Sequence, residues 1–454
     1  MRRAVLATTL ALVAAGCAGD DRRAGPVAGA APTRVATTTT PQPAALGAAS
    51  KRADPPSTLV ESSTTTTTSA TTAATSTTTG VTATTTVTAT TTTLPPWPRS
   101  ITMAFTGDTL PHSPLWRRAA RNAADAGRDG HDFGPMLAEL APLLEPVDVA
   151  VCHLETPIAP EGEEFTTFPF YGVPAEIADA IADAGYDRCS TASNHTADRG
   201  PEGIDRTVEV LGSRGIGQSG MARTPAEIEP QVVDVGGVGV SHLSYTWSYN
   251  GLSLPDGEEW RSALIDVDRI LADAASARER GAHVVVVSLH WGAERVHGVT
   301  SWQRRIAEEL TAGGTLDLIV GHHAHVVQPI EQVNGTWVVF GLGNILSNLP
   351  TNSSWPAATQ DAVVVTVELA VGAGGAVTVG RPVVHPTWVD KDAGWVVRQV
   401  DAELARDDLT AGQRGRLERS RARTEAILGD FFPAVESAEP AEPAQPSEST
   451  PVAG

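Results

Sequence analysis

Six apolar runs in the middle of this chain each stop at a cluster of polar residues, and no other feature constrains the fold as much. Residues 101–105 end in Thr106-Gly107-Asp108, 147–152 in His153-Leu154-Glu155, and 187–192 in Ser193-Asn194-His195. Residues 284–289 end in His290-Trp291-Gly292, 316–320 in Gly321-His322-His323-Ala324-His325, and 338–342 in Gly343-Asn344. Near-continuous apolar runs of this length are strands buried on both faces. Between them lie helical spacings: Ile177, Ile181 and Ala184, then Ile204, Val208 and Leu211 behind Pro201, then Ile306 and Leu310 after Trp302. Gly236-Gly237 and Asn334-Gly335 are hairpin turns. Hairpins among crossovers rule out a simple doubly wound sheet. The expectation is a mixed α/β (α+β) domain: two sheets with helices outside. Further strands are predicted near 361–369 and 376–384, and a helix near 409–428. Cys152 and Cys189 fall inside predicted strands and read as buried thiols, although a secreted setting keeps a disulfide open.

The ends of the chain carry no such pattern. Arg2 and Arg3 precede an apolar run from 4 to 15, closed by Gly16-Cys17. That run is shorter than the roughly 20 residues a spanning helix needs, so residues 1–17 read as a secretory signal. Ala14-Ala15-Gly16-Cys17 resembles the site at which bacterial lipoproteins are cleaved and lipidated, with Cys17 as acceptor. The expected location is extracytoplasmic, anchored to the membrane through lipid; plain secretion is the alternative. Residues 18–97 have no hydrophobic periodicity, and twenty of the thirty residues from 64 to 93 are Thr. With no apolar face, nothing offsets chain entropy, and the segment reads as a disordered linker. Residues 433–454 read as a disordered acidic, Pro-rich tail. The folded unit is placed at 98–432.

Charge narrows the partners. The chain carries a formal net charge of -20, and residues 1–100 hold eight basic against four acidic residues, so the folded part is the acidic one. Nucleic acid is excluded as a partner, since binding it needs a basic surface. A cationic partner such as a metal ion is allowed. In sheets of this kind ligands bind beyond the carboxyl ends of the strands. Asp108, Glu155, Asn194, His195, His290, His323 and His325 would converge there, beside His322 of the same triple-His run. Carboxylate with imidazole suits Mn, Zn or Fe, as one or two ions, and the three cysteines of the chain make a thiolate site untenable.

The segments GDTL, HLETP, SNHTADRG, SLHWGAE, GHHAHVVQ and FGLGN, in this order, resemble the CapA family of poly-γ-glutamate capsule biosynthesis proteins. That family is similar to the calcineurin-like metallophosphatases. The resemblance covers about residues 100–390 and implies a four-layer αββα sandwich. By it, Asp108, Glu155, Asn194, His290, His323 and His325 match metal positions. His195 matches the histidine beside the metals that serves as acid or phosphate contact, and Glu294 and Asn344 match further motif positions. The chain departs from the pattern at Leu110, where superfamily phosphatases carry His, and at Glu155, where they carry Asp. His153 replaces a common Asn, Ala324 a Pro, Arg295 a Tyr and Asn348 an Asp.

The resemblance implies a cell-surface, metal-dependent hydrolase or transferase of capsule or envelope polymer, working with capsule synthesis or export proteins. The substrate would be an anionic polymer or a phosphoester. The alternatives are a non-catalytic module that binds or exports polymer and a general phosphoesterase.

Overall fold

The computed structural model describes residues 97–432. The signal, the linker, Cys17 and the acidic tail lie outside the described residues. The strands, in chain order, are β1 (Arg99–Leu110), β2 (Val149–Leu154), β3 (Arg188–Ser190), β4 (Gly217–Ser219), β5 (Val233–Val235), β6 (Val238–Thr246), β7 (Val284–His290) and β8 (Leu318–His322). There follow β9 (Ile330–Val333), β10 (Thr336–Val339), β11 (Leu346–Ser347), β12 (Asp361–Val371), β13 (Val377–Val379), β14 (Val383–Asp390) and β15 (Val396–Gln399).

They form two sheets. The first runs β15-β14-β12-β1-β2-β3-β4, with β11 beside β1 and β13 beside β12. The second runs β5-β6-β7-β8-β10-β9. Within each, a parallel set (β1 to β4; β6, β7, β8 and β10) is flanked by antiparallel strands.

Side-chain alternation assigns the layers, because successive residues of a strand face opposite sides. Met103 and Phe105 of β1, Val149 and Val151 of β2, and Val284 and Val286 of β7 pack together in the core between the sheets. Ala104, Ala150 and Cys152 face the other way, under the helix Ile177–Asp183 and against Leu211 of the helix Gly200–Ser213. Val285 and Val287 face the helices Val267–Glu279 and Ser301–Thr311 through Ile270, Ala274 and Leu310. Two sheets with helices outside is therefore the observed fold, and the four-layer αββα expectation holds.

Three expectations need correction. Several strands run further than their apolar runs: β1 continues through Asp108 to Leu110, and β7 and β8 close on His290 and His322. Burial, which the sequence pattern credits to apolar residues alone, includes these polar ones. The strand expected over 376–384 is two strands, split at Gly380-Arg381-Pro382, where proline has no N–H for the ladder. Cys152 and Cys189 are not thiols. They sit opposite each other on β2 and β3 with Cα atoms 4.4 Å apart and form a disulfide. Register, which apolar periodicity does not reveal, brings the two together. The helix near 409–428 is present as Ala411–Leu428, capped by Thr410 with Gln413 in a capping box.

Candidate metal centre

The carboxyl ends of β1, β2, β3, β7 and β8 meet where the two sheets come together, and the polar clusters of the sequence collect there. Asp108 is carried on β1 past an irregularity in its pairing with β2 between Phe105 and Asp108. Its backbone N–H donates to the Gly343 carbonyl at 2.8 Å. A Cβ on Gly107 would stand 2.1 Å from that same oxygen, so the close approach of the Gly107-Asp108 and Gly343-Asn344 segments needs glycine there.

Asp108 is buried and surrounded by histidines. Its Oδ1 lies 3.2 Å from His322 Nδ1, and its Oδ2 accepts from the His323 backbone N–H at 3.1 Å and lies 3.2 Å from His325 Nδ1. Burial alone would raise its pKa, but these partners hold the carboxyl well below the usual carboxylate range. His323 and His325 follow β8 in left-handed backbone, at φ 83° and 56°. Such conformations cost about 1–3 kcal/mol each in non-glycine residues. Here they turn both imidazoles into the cluster, where a carboxylate oxygen of Glu294 and one ring nitrogen of each lie within 4.8 Å of one another.

Asn344 is fully buried and holds His325 in place. Its Oδ1 is 2.9 Å from His325 Nδ1, and its Nδ2 donates to the carbonyls of His325 and Thr359. His290 Nε2 lies 2.9 Å from Asn194 Oδ1 and 3.9 Å from Glu155 Oε1. His325 Nε2 is 3.7 Å from that same Glu155 oxygen. Burial raises Glu155 to about 8, against the lowering by His325. Burial would lower His325, but the charges of Glu155 and Asp108 raise it to about 10. Burial lowers His323 to about 3, with His325 adding to the effect, and holds His290 well below its ordinary value.

Both carboxylate oxygens of Glu155, and His323 Nδ1, are buried with no hydrogen-bond partner among the described residues. Buried polar groups are ordinarily paired, and a buried carboxylate left alone is among the costliest exceptions. Asp108, Glu155 and His325 offer ligand atoms within 4.8 Å of one another. The orphaned carboxylate within a carboxylate and imidazole set fits a divalent cation.

His195 stands beside this cluster. Its Nδ1 is 2.7 Å from Asp198 Oδ2, and its ring meets Tyr171 edge-on with centroids 4.7 Å apart. A cavity of about 300 Å³ opens at this point, lined by His112, Phe168, Tyr171, His195, His325 and Trp355 among others, and among the described residues no Lys or Arg lines it.

All the residues singled out in the sequence, Asp108, Glu155, Asn194, His195, His290, His322, His323, His325, Glu294 and Asn344, therefore come to one end of the fold. Two were missed. His153 stacks on His322 at 4.0 Å and has its Nε2 2.9 Å from His290 Nδ1. Its position directly before Leu154-Glu155 was visible but read only as a departure from a family pattern. Asp198 orients His195, and the signal was its place three residues on in the same tight turn.

The family described as bacterial capsule synthesis protein PGA_cap matches residues 102–349. The chain is 28% identical over 173 residues to the PGA biosynthesis protein CapA of Bacillus subtilis (strain 168), covering 38% of this chain and 45% of that one. It is also 28% identical over 219 residues to a probable polyglutamine synthesis accessory protein of Mycobacterium tuberculosis, covering 44% of this chain and 56% of the relative. The chain thus spans about half the length of the curated relatives it matches. Among solved structures it is similar to the calcineurin-like phosphoesterase YfkN from Bacillus subtilis (TM-score 0.38, 14% identity, 72% of this chain and 97% of that one). It is similar too to the NAD nucleotidase NadN of Haemophilus influenzae (TM-score 0.40, 13% identity, 73% and 64%). With more than half of its length matched by the family, this chain belongs to the bacterial capsule synthesis protein family PGA_cap.

Proposed function

We propose that this protein is a metal-dependent hydrolase or transferase that acts outside the cytoplasm on capsule or envelope polymer. The observation that carries the reading is Glu155, whose two buried carboxylate oxygens have no hydrogen-bond partner among the described residues, although Asp108 and His325 offer ligand atoms within 4.8 Å of its own. Asp108, Glu155 and His325 would hold one Mn, Zn or Fe ion, and Asn194, His290 and His323, with Glu155 shared, would hold a second. Such an ion supplies Lewis acidity and an activated water.

The remaining chemistry belongs to the chain. His195 donates or takes a proton at Nε2, the nitrogen left once Asp198 engages Nδ1. Asn344 keeps His325 from turning away, and Glu294 closes the cavity side of the cluster. Tyr171, whose phenol is pushed upward by burial, stays protonated and packs the edge of His195. The absence of Lys and Arg from the cavity lining favours a substrate that meets the site through its reacting group over one gripped along a polyanionic length.

On this reading residues 1–17 direct export and Cys17 carries the lipid anchor, with residues 98–432 as the folded unit. Capsule synthesis or export proteins are the expected partners. Metal analysis of the purified protein, followed by a panel of phosphoesters and γ-glutamyl peptides, tests the enzyme reading. Stoichiometry near zero after incubation with Mn, Zn and Fe would replace it with a polymer-binding module. Fatty-acid labelling that persists in Cys17→Ser would remove the anchor.

A further inference from the structure

His290 is engaged at both ring nitrogens, and the contacts continue away from the cluster. Its Nδ1 lies 2.9 Å from His153 Nε2. His153 Nδ1 lies 2.8 Å from Ser190 Oγ, and the Ser190 hydroxyl donates to the Cys152 carbonyl at 3.3 Å. At the other end, His290 Nε2 is 2.9 Å from Asn194 Oδ1. His153, Ser190 and His290 are all buried.

A neutral imidazole donates at one nitrogen and accepts at the other, and a carbonyl oxygen only accepts. Two proton arrangements are then consistent. In the first, every donor points away from the cluster: His290 Nδ1–H to His153 Nε2, His153 Nδ1–H to Ser190 Oγ, Ser190 Oγ–H to the Cys152 carbonyl. His290 Nε2 is left as a lone pair facing Asn194 Oδ1, a second acceptor. In the second, every donor points toward the cluster: His290 Nε2–H satisfies Asn194, and the Cys152 carbonyl loses the hydroxyl. Each arrangement leaves one of the four contacts unmade. The two rings and the hydroxyl carry the same number of hydrogens in both. Only the first presents a lone pair to a cation, and a cation is what two facing acceptors call for. In metal sites generally, the partner of the non-ligating nitrogen fixes the tautomer.

We propose that His153 and Ser190 are positioning residues that hold His290 as its Nδ1–H tautomer and so present His290 Nε2 to a divalent cation. The proposal rests on the metal reading given above. It goes beyond it by assigning a role to His153.

Zinc titration of the full chain tests it, with affinity read by chelator competition and ring tautomers by proton–nitrogen correlation spectra of the histidines. In the zinc-loaded protein, His290 and His153 should both carry their hydrogen on Nδ1. His153→Phe keeps a ring to stack on His322 but removes the acceptor, and should weaken zinc binding by about 10–100-fold. His153→Gln, whose side-chain oxygen can accept from His290, should recover most of that loss, and Ser190→Ala should cost less than His153→Phe. A zinc-loaded protein with the hydrogen on His290 Nε2 would overturn the proposal. So would a folded His153→Phe whose affinity stays within about twofold of the native value, given the size expected for such partners. If circular dichroism shows His153→Phe unfolded, the native tautomers and the affinity of Ser190→Ala decide. Absence of zinc, manganese and iron uptake by the native chain overturns the metal reading together with this one, whereas zinc uptake with the wrong tautomer overturns this one alone.

Discussion

The cation-facing half of the site and the cavity beside it are built from different parts of the fold. Asp108, His290 and His322 lie within strands, and Glu155 and His323 come one residue after a strand ends, so the sheet backbone fixes each Cα. Their side chains then hold one another: Asp108 alone touches His322, His323 and His325. The cavity side is carried by loops. Phe168 is 75% exposed, and Trp355 is braced by Arg295 over its ring at 4.9 Å. Lys391 caps the carbonyls of Asn348 and Pro350 beneath the loop that holds Leu349 and Thr351. On the reading proposed above, the strand-carried half would hold the cation, and the loop half could vary the substrate without disturbing it. Changes on the two sides should therefore separate cleanly, into cation binding and turnover on one side and substrate affinity on the other.

The sharpest break is expected at the boundary. His195→Ala should retain metal and lose about 10²–10⁴-fold in turnover, the range for removing a general acid or base. Metal content and turnover measured on the same sample check it. Loss of metal in this variant would move His195 into the cation-facing half.

Glu155→Gln should act on the cation alone. The side chain is buried, burial pushes its carboxyl toward the neutral form in the cation-free protein, and Gln is neutral and close in shape. Thermal melting in chelator should then change little, whereas affinity should fall by more than the roughly 10–100-fold typical of residues that only orient a ligand. The rise in melting temperature on adding cation should vanish with it. A large drop in melting temperature in chelator would show that Glu155 supports the fold itself.

The same contrast explains what could be read before any coordinates. The gathering of these side chains at one end was legible because most of them sit where an apolar run stops, and strand ends converge. His153 was not legible in its role, because the fifth residue of β2 points to His290 on the other sheet, 137 positions away, and the packing of one sheet on the other is invisible to composition. The Cys152–Cys189 bond was misread because the register of β2 on β3 is equally invisible. On the cavity side, neither the aromatic lining nor the lack of basic residues could be foreseen, since Phe168, Tyr171 and Trp355 lie in loops without periodicity. The hairpins at Gly236-Gly237 and Asn334-Gly335 were read correctly because positive φ at paired turn residues is a local demand.

The protonation of the cluster gives a smaller and graded effect. A cation needs Glu155 ionised and His325 neutral, yet in the cation-free protein Glu155 titrates at about 8 and His325 at about 10. His323, lowered to about 3, is already neutral and adds nothing in this window. Binding near neutral pH should thus release protons from both groups, and affinity should rise with pH. The slope should be steepest below about 8 and shallower from there to about 10, as ligand deprotonation requires. Titration calorimetry in buffers of different ionisation enthalpy measures the release. Affinity independent of pH up to about 10, where the second of these groups loses its proton, would show that the two groups are not ligands.

The smallest effect is expected farthest into the loop half. Phe168 lines the cavity but is mostly exposed, so its ring has little to lose from the fold and can gain contacts only from what enters. An aromatic contact of this kind contributes about 0.5–1.5 kcal/mol, or roughly 2–10-fold in affinity. Phe168→Ala should therefore raise KM by that factor for whichever phosphoester or γ-glutamyl peptide is turned over. It should leave kcat and metal content unchanged, the signature of binding shared equally by ground and transition states. A fall in kcat without a change in KM would mean that the loop moves during the reaction and that the two halves are coupled. Trp355→Ala provides the control on the opposite wall. It also frees Arg295 from the indole, so a drop in KM for an anionic substrate in that variant alone would identify Arg295 as a charge the native cavity keeps out of reach.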